Sequence, residues 1–378
     1  MAVSAGVCVA NIYYNQPILK EMADSFHTSE NKIGFVSVLT QVGYGLGLFF
    51  ITPLGDKISR KKLIIALHIM LIACLMGNFF IKHLIGLYAI SLLTGMLAVA
   101  AHVIIPMAVS MQKGNKGRTV GIIFTGILIG VLAARVFSGY ISHWLGWRYV
   151  YGISAFMVAI TTIMLQLSLP DLPASFTGNY KEVLQSTFAQ VKRFALLRQT
   201  AVLGALVFGV FCSFWTTLTF HLGGAPFFYH SDTIGLFGIL AIGGALLAPV
   251  FGKWADKGNP ARVQLLSVGM LIISVILVKL LPDNISSFII AVLLLDIGVQ
   301  ATQVTNVATI YSLDETAHSR INTVYMTSYF IGGAVGSFAG IQCWRFGGWP
   351  LLTSQLLVWS AIALLIVIRN LPSKIKNR

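Results

Sequence analysis

One aspartate, Asp296, stands alone in an apolar run, LLLDIGVQATQVTNVATIYSL. A carboxylate at the centre of such a segment costs roughly 2.5 to 3.5 kcal/mol to insert into a bilayer, so it needs a partner or a water-filled surrounding. At 100° per residue, Gln300 and Gln303 fall about 40° and about 20° from Asp296, and the three form one polar stripe with Asn306 off to its side. Burial and neighbouring charge tune the proton affinity of such a carboxyl, which is the property a proton-exchanging group requires. A permanent pin between two helices would use the same residue, and both readings stand. Arg135 is the one Lys or Arg well inside an apolar run. Counted along their segments, Arg135 lies roughly 10 Å and Asp296 roughly 15 Å below the outer surface, close enough in depth to meet. Arg135 is then either a partner that protonation of Asp296 or an anionic substrate would release, or a side chain snorkelling to the interface.

The second polar concentration is ANIYYNQPIL near the N-terminus. Asn11, Tyr14, Asn15 and Ile18 are spaced i, i+3, i+4, i+7 and share a helix face. FWTTLTFHLGGAPFFYH, with Trp215, Thr219, His221 and Pro226, has a comparable mixture of polar and aromatic residues. Pro17 and Pro226 would bend the ends of these segments, where freed backbone groups can face water. These residues either line a binding cavity or join helices to one another. His102 and His221 are each lone histidines on apolar helices, suited to proton transfer or, more simply, to a hydrogen bond with a neighbouring helix.

The elements that must position these groups follow from composition. The chain has 378 residues, 56% hydrophobic and 10% charged, and a mean hydropathy of +0.82. A soluble domain carries about 25% charged residues, so this is a polytopic membrane protein. Segments of roughly 20 apolar residues fall at approximately 1–23, 32–54, 63–81, 84–111, 119–142, 149–169, 201–223, 233–251, 263–281, 286–311, 321–343 and 351–368. The net charge of +14 is gathered in short clusters between these runs, not in a stripe interleaved with aromatics, which argues for bilayer orientation and against nucleic acid. The clusters at Lys57 to Lys62, Lys113 to Arg118, Lys181 to Arg198, Lys253 to Arg262 and the C-terminal tail all fall on one side, which places both termini in the cytoplasm. No basic region or cleavage site of a signal peptide precedes the first span; Met1 opens almost directly into it, as if a few residues of that helix were missing. Cys8, Cys74, Cys212 and Cys343 lie in or beside apolar runs with no metal-ligand spacing.

The stretch from Pro170 to Thr200 is the longest polar one and contains an amphipathic helix from Tyr180 to Leu197. It divides the chain into an N-terminal six-helix half, 1–170, a cytoplasmic linker, 171–200, and a C-terminal six-helix half, 201–378. The halves repeat at an offset of about 200 residues. Asp56 and Lys57 match Asp256 and Lys257; Arg118 and Arg320 each precede a Thr and a Gly at equal spacing; GYISHWLGW parallels GIQCWRFGGW. With an even number of spans in each half, the repeats are parallel. Gly43, Gly45 and Gly47, Gly126 and Gly130, Gly243 and Gly244, and Gly332, Gly333, Gly336 and Gly340 are expected where helices of the two halves approach closely.

The loop PLGDKISRKK resembles the GxxxDRxGRK motif of the major facilitator superfamily, and GKWADKGNPAR repeats it in the second half. NIYYNQP and RINTVYMTSYFIGGAVGS look closest to a bacterial subgroup of proton-driven drug and sugar efflux antiporters. The resemblance covers essentially the whole chain and implies an all-α membrane protein of twelve transmembrane helices. It also implies alternating access, a cavity lined by spans one, four, seven and ten, and residence in a bacterial inner membrane. Cavity residues would be Asn11, Tyr14, Asn15, Trp215, His221, Gln300 and Gln303, and proton-coupling residues Asp296, Arg135 and His102. Asp56, Lys57, Arg60 and Lys61, with Asp256, Lys257 and Arg262, would latch a cytoplasmic gate, although they would equally serve as positive-inside anchors and tight turns. The sequence departs from the family pattern at Thr52 and Ser59, where glycines are usual, at Ser91, where an Arg is frequent, and in GIIFTGILIGVLAARVFSG, which lacks the antiporter proline. A uniporter or symporter on the same fold is the alternative. Nucleophile elbow, HExxH and Walker sequences are absent, so an enzyme or nucleotide-driven pump is disfavoured. The expected partners are a small molecule, protons and lipid, with no cofactor or metal.

Overall fold

The computed structural model describes residues 1–111, 116–171, 179–256, 260–314 and 317–370, together with their side chains except at 116–117 and at 242–246, 248–249, 252–253 and 255–256. Among the described residues the chain is almost entirely helical, with no strand. Among the described residues, nine helical runs are long and apolar enough to cross a membrane. Several begin where a side chain caps the first turn. Ser29 accepts from the Lys32 amide at the start of α3 (Glu30–Phe50), Ser59 from Lys62 at α5 (Arg60–Phe80), and Asn284 from Ser286 at α14 (Ile285–Tyr311).

Proline and glycine decide where the apolar runs break. The first expected span is divided at Pro17 into α1 (Ala2–Tyr13), a 3-10 turn (Gln16–Ile18) and α2 (Leu19–Ser25). A short α4 (Leu54–Lys57) follows α3. The fourth expected span is α6 (Leu84–Ala98) and α7 (Ala100–Ser110), joined at Val99. The fifth and sixth are α8 (Lys116–Leu145) and α9 (Trp147–Ser168), and the linker helix is α10 (Tyr180–Arg193). Then come α11 (Ala195–Gly223), α12 (Ser231–Asp256) and α13 (Pro260–Leu280). The last two expected spans form one run, α15 (His318–Arg369), interrupted at Gly347 and Gly348 just before Pro350. Gly348 has φ +59° and ψ −152°, a conformation open essentially to glycine alone.

The chain divides into two compact units. The first is Met1–Ser186 with Tyr229–Gly238, and the second is Thr187–Phe228 with Ile239–Arg378. In the first, α1 is buried continuously from Ser4 to Tyr13, and in the second α11 is buried continuously from Val207 to Gly223. Each unit is therefore built around the first helix of its repeat.

Glycine makes this possible, and its use differs from the sequence expectation. A Cβ on Gly130 would stand 2.2 Å from the Gly6 carbonyl oxygen, so α1 and α8 meet backbone to backbone. A Cβ on Gly95 would stand 2.1 Å from the Thr40 oxygen, between α6 and α3, and one on Gly336 would stand 2.1 Å from the Gly209 oxygen, between α15 and α11. Gly130 and Gly336, expected between halves, instead close packing inside their own units; Gly243 and Gly244 lie outside the described side chains. Lipid tails are as apolar as leucine, so helices in a bilayer gain by close approach and not by hydrophobic burial. The expected result of Gly95→Ala is a loss of about 1 to 3 kcal/mol from overpacking, read as a lower thermal unfolding midpoint in detergent. Gly269→Ala, with open space around it, should leave the midpoint unchanged.

Candidate functional site

In the first unit the polar residues of α1 and the following turn reach three different neighbours. Asn11 donates to the Val7 oxygen at 2.8 Å and accepts from Ser154 of α9 at 2.8 Å. Asn15 donates to the Ile12 oxygen at 3.2 Å and accepts from Ser37 of α3 at 2.5 Å. Tyr14 packs against Phe137 of α8 with ring centroids 5.5 Å apart. All three are buried. A helical asparagine uses its amide N–H₂ on its own carbonyls and offers its oxygen sideways, so each one stitches α1 to another helix. The helix-joining reading of ANIYYNQPIL thus describes its contacts in this structure.

Arg135 is fully buried, so it does not snorkel. Its Nε donates to Gln16 Oε1 at 2.8 Å, and its guanidinium lies 5.3 Å from the centroid of the Tyr13 ring. Its backbone is closed off by Gly235 and Gly238 of α12; a Cβ on Gly235 would stand 2.6 Å from the Arg135 oxygen. Nearby, Ser231 donates to the Gly139 oxygen at 3.0 Å and Ser142 to Glu21. Sequence reasoning singled out Arg135 and missed Gln16, whose signal was its place beside Pro17: the break in α1 frees a turn to point its side chain at α8. Asp296 belongs to the other unit.

Two histidines bridge helices in this unit. His102 of α7 shares a 2.9 Å hydrogen bond between its Nδ1 and the Tyr44 hydroxyl of α3. His68 of α5, not singled out by the sequence, is fully buried, with Nε2 2.9 Å from Ser4 Oγ and Nδ1 2.8 Å from the Ile64 oxygen. His68 had the same sequence signal as His102, a lone histidine in an apolar run.

The basic cluster around α4 in the first unit is clasped by its own groups. Arg60 donates to Asp56 at 2.9 Å, to the Gly55 oxygen at 3.1 Å and to the Pro106 oxygen at 3.3 Å. Lys61 donates to the Leu169 oxygen at 2.6 Å, and Ser59 to Asp171 at 2.5 Å. Serine at 59, in place of a glycine, thus caps α5 and ties the loop to the end of α9. Lys57 is exposed. In the second unit Arg262 is exposed, while Lys257 and the side chain of Asp256 lie outside the described residues.

Asp296 is buried on α14, 3% exposed. The opposite side of that helix is committed to α13. Thr302 bonds Ser267 at 2.8 Å, Asn306 accepts from Gln264 at 2.7 Å and donates to Tyr325 at 3.3 Å, and a Cβ on Gly298 would meet Leu271 at 2.4 Å. At 100° per residue these positions lie about 80° to 160° away from Asp296, so the stripe of Asp296, Gln300 and Gln303 points elsewhere. Gln300 and Gln303 are half-buried, and Gln303 lies 3.5 Å from the Tyr329 hydroxyl. Tyr329 stacks on Phe208 at 4.0 Å, and Phe211 continues that aromatic cluster towards Trp215, which is buried. His221 lies in a different cluster, stacked on Trp349 at 4.1 Å with Nε2 2.9 Å from the Pro282 oxygen. Among the described residues no group of three His, Cys, Asp or Glu is placed to hold a metal ion.

Two halves led by buried, polar central helices, with a basic clasp after the second span, can now be set beside known proteins. The Major Facilitator Superfamily matches residues 1–374. The chain belongs to that superfamily. It is 34% identical over 368 residues to "Uncharacterized transporter YgaY" of Escherichia coli O157:H7, covering 95% of this chain and 93% of that one. Among solved structures, the nucleoside transporter NupG superposes with a TM-score of 0.75 at 13% identity, covering 97% of this chain and 96% of that one. The peptide transporter POT in complex with alafosfalin superposes with a TM-score of 0.76 at 12% identity, covering 97% and 93%. The superfamily member described here is therefore a multi-pass membrane transporter for a small molecule, with the all-helical fold expected from its sequence. Because Gln16 accepts from a buried guanidinium, Gln16→Leu should cost about 1 to 3 kcal/mol. Gln16→Glu, which keeps an acceptor, should cost less; thermal unfolding of the two variants in detergent gives the comparison.

Proposed function

We propose that the protein exports a small organic compound in exchange for protons, by alternating access, with Asp296 as the group that gains and loses the proton. The observation that carries this reading is the burial of Asp296 on a polar stripe of α14 whose other side is fully engaged with α13. Gln300, Gln303 and Trp215 supply hydrogen-bonding and aromatic groups on the second unit for substrate, and Arg135 with Gln16 supplies a buried cation on the first. His102, bonded to Tyr44, is a secondary carrier for the proton. Asp56 and Arg60, with their repeat counterparts Asp256 and Arg262, form the cytoplasmic gate. In this reading both termini lie in the cytoplasm, which the distribution of Lys and Arg supports, and the protein resides in a bacterial inner membrane, which its resemblance to efflux carriers supports.

Uniport or symport is the second reading, favoured by one specific observation. The segment that carries a proline in antiporters runs here as one continuous helix from Lys116 to Leu145.

The two readings separate when the purified protein is titrated with nucleosides, dipeptides, sugars and aromatic drugs in lightly buffered detergent while pH is recorded. Exchange predicts proton release on binding of one class, and Asp296→Asn should abolish it while leaving the unfolding midpoint within a few degrees. Binding without proton release in either protein would overturn coupling through Asp296 and leave the uniporter.

A further inference from the structure

The second unit begins within the linker helix, and this part of α10 is inside out for a helix in water. Thr187 is 1% exposed and Gln190 6%, whereas Phe188 between them is 61% exposed and Leu196, just past the helix end, is 38% exposed. A helix facing only cytosol would turn the phenylalanine inward and leave threonine and glutamine wet. The inversion is favourable if the exposed side meets lipid. Lys192 lies four residues from Phe188 on the same exposed face, so a cation sits one turn from the aromatic ring. Residues 187 to 200 include Lys192, Arg193 and Arg198 and no Asp or Glu. Two of these cations have fixed work: Arg193 pairs with Asp314 at 2.7 Å, and Arg198 donates to the Val191 and Lys192 oxygens at 2.8 and 3.1 Å. Lys192 is exposed beside them. α11 starts at Ala195, two residues after α10 ends, and Val202 in its second turn is 50% exposed. The inverted face is thus held at the start of an apolar span.

We propose that this face of α10 docks on anionic phospholipid of the membrane in which the protein resides, with the Phe188 ring at the boundary between headgroups and acyl chains and the Lys192 ammonium on the anionic headgroup. An aromatic ring and a lysine one turn apart match that boundary in both polarity and charge. One basic side chain near an anionic surface gives about fivefold enrichment. This inference does not depend on the transported substrate or on proton coupling.

A photoreactive benzoylphenylalanine placed at position 188 in the full-length protein tests it. The protein is reconstituted in vesicles of three parts phosphatidylcholine to one part phosphatidylglycerol, irradiated, and its adducts weighed by mass spectrometry. The expected product is a phospholipid adduct in which phosphatidylglycerol exceeds its share of the bilayer about fivefold. With Lys192→Gln in the same protein the adduct should persist and the enrichment disappear. Absence of a lipid adduct, or adducts to protein alone when the experiment is repeated in native membranes, would overturn the docking. An adduct with no phosphatidylglycerol preference would overturn the anionic specificity.

Discussion

A polar group turned to hydrocarbon loses its hydrogen bonds without replacement, and both units of this protein are organised around that penalty. α1 and α11 are buried in long continuous stretches, and the polar side chains they carry can be satisfied only in the interior of a bundle. Asn11 and Asn15 each spend their amide protons on their own helix and their oxygens on a neighbour. On the other side of the chain, Thr302 and Asn306 do the equivalent for α14 and α13. Glycine supplies the second half of the solution, since a side chain can bridge two helices at 2.5 to 2.8 Å only where the backbones have been allowed to come close.

This packing bears on how a transporter of the superfamily works. Helices that touch backbone to backbone have little slack, so a shift imposed at one end is carried through the unit, which suits the rigid-body rocking of alternating access. The basic loop around α4 is held just as firmly. Arg60 is fixed by one carboxylate and two carbonyls, and Lys61 and Ser59 bind the same loop to the end of α9. The clasp would therefore travel with its unit and would not fold and unfold during transport. Arg135 is set in a comparable seat, with Gln16 as acceptor, the Tyr13 ring beside it and glycines across its backbone.

The two candidate sites differ in how their polar groups are employed. Those of the first unit are mostly engaged with neighbouring helices, and the polar residues of α1 that look like a cavity wall on a helical wheel diverge to α9, α3 and α8. On α14, Asn306 is turned to Gln264 and Tyr325, and at 100° per residue Asp296, Gln300 and Gln303 fall on another side of the helix. A wheel gives angles around one axis. It predicts contacts well where a single neighbour covers one side, as α13 does, and poorly where a helix is surrounded, as α1 is.

Composition, the spacing of apolar runs and the loop motif determined that this is an all-helical membrane transporter, because hydrocarbon thickness and backbone satisfaction leave helices of about twenty residues as the solution for such a sequence. They also marked Asp296 and Arg135, since a charge among apolar residues is conspicuous in one dimension. What the tertiary structure decided was who meets whom. Gln16 as acceptor for Arg135, the Ser4 and His68 bridge, the glycines packed within units and the outward Phe188 all depend on which residues distant in the chain are brought to within a few ångströms. Hydrogen bonds and close backbone contacts act only over that range, and sequence spacing carries no measure of it beyond the few turns of a single helix.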